Sequence, residues 1–217
     1  MSSCSFRHVL FLCLNIGKGA REEYKMHREF IEKLEVNPVI AAIKDDEGLE
    51  HALETDCEII FILYGDICTI PDIVHKIKSV DKVAMVHLDL ITGLNNTKEI
   101  SVDFIKNNTE ADGIITTKGN LIGRAKELGL YTVLRYFVID SMALVNIEKQ
   151  DRHGISTPDV IEILPGIVLP KIIQRVNRAS RVPVLAGGLI SDRDDVMNAL
   201  NNGVLAVSTT NEEVWQL

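Results

Sequence analysis

The sequence predicts an α/β chain folded as one compact (β/α)8 barrel around a parallel sheet. Three observations carry that reading. Apolar strand-like runs alternate with helix-spaced segments from Asn37 onward. Eight such units recur at intervals of about 24 residues, the economy of a small barrel. No linker, low-complexity tract or charge block divides them. Continuous apolar strands joined by helix-length crossovers imply a sheet covered on both faces. An open flavodoxin-like sheet needs about five strands, which leaves three units unplaced.

The first strand run is PVIAAIK (38–44), closing on Lys44, and the second is EIIFILYG (58–65). The third, KVAMVHLDL (82–90), carries His87 and Asp89 in phase with Val83 and Met85, so a strand through residue 90 puts all four on one face. TKEISVDFIKNN (97–108) has the apolar spacing of a helix and leads to ADGIITTK (111–118), which ends on Lys118. TVLRYFVID (132–140) holds Arg135, and DVIEILPG (159–166) holds Glu162 in phase with Val160 and Leu164. In the helix after LPGIVLP, Lys171, Arg175 and Arg178 share a face at i, i+4 and i+7, with Arg181 just beyond. VPVLAGG (182–188) and VLAVSTT (204–210) complete the set. Between them SDRDDVMNALNNG reads as a helix, with Ser191 as its N-cap and Gly203 beyond its end.

The chain has 217 residues, 46% hydrophobic and 25% charged, an ordinary globular composition that can build one large core. Its net charge of -8 argues against broad affinity for nucleic acid or membrane, while leaving room for a local basic patch. Cys4, Cys13, Cys57 and Cys68 show neither Cys-x-x-Cys spacing nor nearby paired histidines. They read as free or buried thiols in a reducing, cytoplasmic setting, with no metal site. The first 25 residues stand apart as an extension of the 26–217 barrel domain. HVLFLCLNI (8–16) is too short to span a bilayer, and its thin basic flank and poor cleavage site argue against a signal peptide. An added helix or strand packed on the domain, or a native start at Met26, are the alternatives.

In a barrel, chemistry gathers at the carboxyl ends of the strands. Lys44, His87, Asp89, Lys118, Arg135 and Glu162 all fall near those ends. Singly, each has an ordinary explanation: a solvated lysine, a core histidine, a buried Arg135–Glu162 ion pair. Together, three cations against two acids describe a rim suited to a small anion, because isolated buried charge is costly. Gly187 and Gly188 then explain themselves. Loops after the seventh and eighth strands of such barrels commonly cradle phosphate on backbone amides and a helix N-terminus, and glycine lets the backbone come close. Ser208, Thr209 and Thr210 add donors after the eighth strand. A tight turn with Ser and Thr caps is the alternative. The Lys171–Arg178 face and Arg181 read either as a solvated helix or as a nucleic-acid contact, with few aromatics nearby to stack bases.

HLDLITGL (87–94), DGIITTK (112–118), RYFVIDS (135–141), EILPG (162–166), AGGLI (186–190) and AVSTTNEEVW (206–215) occur in that order. Over roughly residues 38 to 217 the chain resembles the glycerol-uptake operon antiterminator regulatory proteins; residues 1–25 have no counterpart. The resemblance implies a barrel that senses glycerol 3-phosphate, needs no other cofactor and acts on leader mRNA of glycerol-utilisation genes. It places Gly187, Gly188, Ser208 and Thr209 on the phosphate. It places Lys44, His87, Asp89, Lys118, Arg135 and Glu162 around the glycerol. The RNA surface and a homodimer are left open by it. Two rivals stand beside this reading. One is a barrel enzyme on a phosphorylated metabolite, of isomerase, aldolase or phosphodiesterase type, with His87, Asp89 and Glu162 as acid and base; no catalytic signature or metal-ligand cluster supports it. The other is a sensor that signals through a protein partner.

Overall fold

The computed structural model describes residues 18–150 and 157–217. Eight parallel strands close into a barrel in chain order: β1 (Val39–Ile43), β2 (Ile59–Ile62), β3 (Val83–His87), β4 (Gly113–Thr116), β5 (Tyr131–Phe137), β6 (Val160–Leu164), β7 (Val184–Gly187) and β8 (Ala206–Thr209). Closure is made where β8 meets β1, Ala41 lying opposite Thr209. Seven of the eight predicted runs contain their strand, and the fifth, predicted from Thr132, begins one residue earlier at Tyr131. The third does not reach residue 90: β3 stops at His87, and Leu88–Leu90 form a 3-10 turn. Asp89 therefore leaves the strand face on which the apolar alternation had put it.

The alternation otherwise decides which side chains enter the barrel. Ile40, Phe61, Val83, Met85, Val133, Val160 and Leu185 fill the interior, while their neighbours Ala41, Ile60, Val86, Leu134 and Ile161 pack outward against the helices. The crossovers are α2 (Asp46–Glu54), α3 (Ile70–Lys78), α4 (Ile100–Asn108), α5 (Asn120–Glu127), α6 (Ser141–Gln150), α7 (Pro170–Ala179) and α8 (Arg193–Asn201), and a 3-10 turn at Val214–Gln216 ends the chain. The cap of α8 is Asp192 rather than Ser191: its carboxylate accepts from the Asp195 amide, and the Asp195 carboxylate accepts from the amide and hydroxyl of Ser191.

A further helix, α1 (Lys18–Val36), precedes the barrel and runs unbroken across residue 26. Phe30 and Leu34, one turn apart, are fully buried among the interior residues, and the Phe30 ring stacks on Tyr131 at 4.6 Å. Polar contacts pin the helix around them. Lys33 donates to Glu58 at 3.0 Å and His27 meets Asp159 at 3.0 Å. Both acids immediately precede strands, so α1 covers the amino-terminal mouth of the barrel. Burial alone raises the Asp159 carboxyl, but His27, Lys126 and Thr132 outweigh it and hold the group below its usual range. HVLFLCLNI lies outside the described residues, as do Cys4 and Cys13. Cys57 is buried and Cys68 exposed, both as free thiols. Among the described residues no helix is long and apolar enough to cross a membrane.

Phe30→Ala should remove the floor of the interior core. We expect a loss of about 3–5 kcal/mol in denaturant unfolding, from the buried ring and the cavity it leaves. Acid should loosen the same contact. A depressed Asp159 pKa means stability that is present above the free carboxylate range and lost as pH falls through the native value. Asp159→Asn should therefore flatten the acid limb of the stability–pH profile.

Candidate functional site

At the carboxyl ends of the strands, the inward phase that holds Val133 and Val160 continues upward to Arg135 and Glu162, which are register partners across β5 and β6. Arg135 Nε donates to Glu162 Oε2 at 2.6 Å, and Ser208 Oγ on β8 donates to Oε1 at 2.5 Å. The Glu162 side chain has no exposed surface. Both its oxygens are thus answered, one by a charge and one by a hydroxyl, which is the condition for keeping a carboxylate out of water. Breaking such a pair by removing one partner costs about 3–5 kcal/mol, since the other charge stays buried.

Gly187 stands against this carboxylate. A Cβ there would collide with Glu162 Oε1 and with Ser208 Oγ. The side chain is absent from β7 because the acid and the hydroxyl occupy its place. Gly188 serves a different purpose: its φ is +74°, and Leu189 follows at +61°. A leucine held in the left-handed region is uncommon and costs of order 1–3 kcal/mol, a strain found most often at functional loops.

Above this layer lies a cavity of about 360 Å³, lined by Arg135, Gly188, Leu189, Ile190, Ser208 and Thr210 among others. Among the described residues, the backbone amides of Gly188, Leu189, Ile190 and Thr210 donate to nothing. Unpaired amides on turns with left-handed residues form an anion-binding concavity, and Arg135 contributes the charge. The two loops are held in place by their own side chains. Thr209 Oγ1 donates to Ile190 O at 2.7 Å and accepts from the Asn211 amide, while Asn211 Nδ2 donates to Ser191 O. The indole of Trp215 donates to Thr209 O at 2.8 Å. The α8 N-terminus is already engaged by Asp192 and Asp195. The donors open to an anion are therefore loop amides rather than the helix end expected from sequence.

The predicted residues converge only in part. Arg135, Gly188, Ser208 and Thr209 line the cavity. Glu162 and Gly187 lie directly beneath it as support. Lys44 and Lys118 are exposed on the rim after β1 and β4, outside the cavity lining. Asp89, displaced into the 3-10 turn, accepts from the Thr117 amide at 2.6 Å and from Thr116 Oγ1 at 3.2 Å, organising the loop that carries Lys118. His87 is buried on the inward face, and its Nδ1 has no hydrogen-bond partner among the described residues, the Asp89 carboxylate standing 3.8 Å away. Burial, reinforced by the Arg135 charge and opposed by Asp89, pulls its pKa down to about 4. Lys171, Arg175, Arg178 and Arg181 are exposed on and after α7, away from this cavity. Sequence reasoning missed Leu189 and Ile190, whose contribution is backbone only. Among the described residues no group of three or more His, Cys, Asp or Glu is placed to hold a metal.

The family profile described as "Glycerol-3-phosphate responsive antiterminator" matches residues 39–215. The Escherichia coli K12 protein YgcP, itself described as uncharacterized, is 48% identical over 184 residues, covering 85% of this chain and 94% of that protein. The crystal structure of a glycerol uptake operon antiterminator regulatory protein from Listeria monocytogenes superposes with a TM-score of 0.77 at 32% identity, covering 82% of this chain and 95% of that one. A glycerol uptake operon antiterminator-related protein from Thermotoga maritima gives 0.71 at 29% identity, with 82% and 98% covered.

The His87 environment makes a titration prediction. Its pKa is depressed in the fold, so the unfolded chain binds the extra proton between about 6.5 and 4, and stability falls as pH drops through that window. We expect imidazole NMR shifts to stay those of a neutral ring at pH 5.5. A ring that titrates near 6.5 would contradict the burial argument.

Proposed function

The chain belongs to the glycerol-3-phosphate-responsive antiterminator family, and we propose that it binds glycerol 3-phosphate behind β7 and β8 and, so loaded, binds the leader RNA of glycerol-utilisation genes and carries transcription past a terminator. The observation that carries the ligand half is the cavity itself, where Arg135 and the unpaired amides of Gly188, Leu189, Ile190 and Thr210 surround about 360 Å³. A dianionic phosphoryl group answers all of those donors at once, and among the described residues no acid lines the pocket to repel it.

In this reading the phosphate rests on the amides of the Gly188–Ile190 turn and of Thr210, beside Ser208 and Thr209 whose hydroxyls brace the site, and Arg135 reaches it from β5. The glycerol end turns toward Arg135, His87 and Asp89, with Lys44 and Lys118 at the entrance. Glu162 acts from below: by pinning Arg135 and Ser208 it fixes where the donors point. The RNA half rests on the family and on the exposed cations of α7, Lys171, Arg175 and Arg178, with Arg181 beyond them.

Coupling requires only that ligand favour one of two loop arrangements. A tenfold gain in RNA affinity corresponds to about 1.4 kcal/mol, within reach of a few charge-assisted hydrogen bonds. The strained Leu189 turn is the natural element to be biased, since phosphate contacts offset the strain in the loaded state.

Calorimetry with glycerol 3-phosphate tests the pocket. Asn and Asp both tolerate the left-handed conformation of position 188, and a Cβ there meets only ordinary contacts with Leu164. Gly188→Asp should bind at least tenfold more weakly than Gly188→Asn, because only the former places a carboxylate beside the phosphate. Equal affinities would remove the phosphate from this turn. A gel shift on the protein's own operon leader tests the second half. Retention that tightens with glycerol 3-phosphate and fails on an unrelated RNA is expected; no specific retention with or without ligand would overturn direct antitermination.

A further inference from the structure

The loops after β5 and β6 enclose a second cavity, about 510 Å³, separate from the anion pocket. Its lining is mostly apolar, with Val138, Ile139, Ile167, Leu169 and Ile172, and it also holds Ser141, Arg175 of α7 and Asp140, whose carboxylate accepts from the Met142 and Ala143 amides. Five of the thirteen exposed large apolar side chains among the described residues (Phe137, Ile139, Ile167, Leu169 and Leu189) fall on the end of β5 or in the loops after β5, β6 and β7. Ile139 is 86% exposed, Leu169 61% and Phe137 54%. That clustering exceeds the scatter of single apolar residues found on any surface and marks a contact site.

The charge beside the groove selects the occupant. Arg175 stands in its wall, with Lys171 and Arg178 one turn before and after, all exposed and without an ion pair to the described residues. This cationic stripe belongs to a chain of net charge -8. A two-fold contact with a second copy would press the same cation-bearing wall against itself, a like-charge arrangement that costs binding energy. Single-stranded nucleic acid offers the opposite combination, flat apolar bases on an anionic backbone.

We propose that this groove receives an unpaired base of a single-stranded RNA segment against Ile139, Ile167 and Leu169, with the backbone phosphates following Lys171, Arg175 and Arg178. The proposal rests on the RNA-binding reading above and gives it a face. It also places the RNA one hydrogen bond from the ligand. The amide of Gly166, in the loop that carries Ile167 and Leu169, donates to Gly188 O at 2.9 Å, and Gly188 lines the anion pocket. A ligand-driven shift of the Gly188–Leu189 turn reaches the groove through that bond.

Fluorescence anisotropy of the full chain with its labelled operon leader transcript, with glycerol 3-phosphate present, provides the test. Ile139→Ser with Leu169→Ser alters only exposed side chains, and Leu169 is the N-cap of α7, where serine is favoured. The double variant should bind RNA about tenfold more weakly and bind glycerol 3-phosphate as wild type does by calorimetry. Replacing Lys171, Arg175 and Arg178 with alanine should lower the slope of log affinity against log salt by about 2, at about 0.7 for each single-strand phosphate contact. Wild-type RNA binding that both variants retain unchanged would overturn the groove while leaving the function standing. So would a sedimentation result in which the serine variant dissociates a wild-type dimer without changing RNA affinity. A wild-type chain that binds no RNA would overturn the function and the groove together.

Discussion

A carboxylate with no exposed surface, Glu162, ties three strands of the barrel wall together, and the geometry of the upper half follows from satisfying it. Its two oxygens need two donors, supplied by Arg135 from β5 and Ser208 from β8. Its bulk needs room, which β7 yields by carrying glycine at 187. Once those demands are met, the guanidinium is fixed at the floor of the anion cavity and the β8 loop is placed against the β7 turn. Buried polar networks of this kind constrain position more than they add stability, because their Coulomb gain is largely consumed by desolvation. Here the constraint is what matters, since an anion site requires donors that do not move.

Much of this could be read before any coordinates. The eight apolar runs were legible because a strand buried on both faces has no reason to carry polar residues until it reaches the rim. The inward phase of His87 and Glu162 was legible for the related reason that alternation of period two continues to the strand end. The same rule misled at Asp89: Leu88 and Leu90 extend the apolar pattern by two residues, but the backbone turns after His87, and nothing in a side-chain pattern reports a backbone turn. The amides of Leu189 and Ile190 escaped for the same cause. Their role depends on φ at a leucine, a residue whose identity argues against the conformation it adopts.

What the sequence could not supply was juxtaposition between loops. Val138 and Ile139 follow one strand, Leu169 and Arg175 follow the next, and only the fold brings them to one groove. Thr209 shows the point on a smaller scale. As a residue type it suggested a ligand hydroxyl, yet its Oγ1 is used to join the β7 and β8 loops through Ile190 and Asn211. The family match over residues 39–215 accounts for the barrel and the regulatory class. The ion pair, the turn and the loop staples describe how this chain shapes the cavity above them.

The helix beneath the barrel has a kinetic consequence. With Phe30 and Leu34 packed beneath the interior core, a small molecule seated among the upper loops would enter and leave through the upper face. Whatever lies across that upper face stands in the doorway. A polymer lying across that face would slow escape of the molecule below it without touching it, so the two would have to leave in the reverse of the order in which they arrived. Residence time, rather than affinity alone, would then set how long the signal outlasts the metabolite that began it.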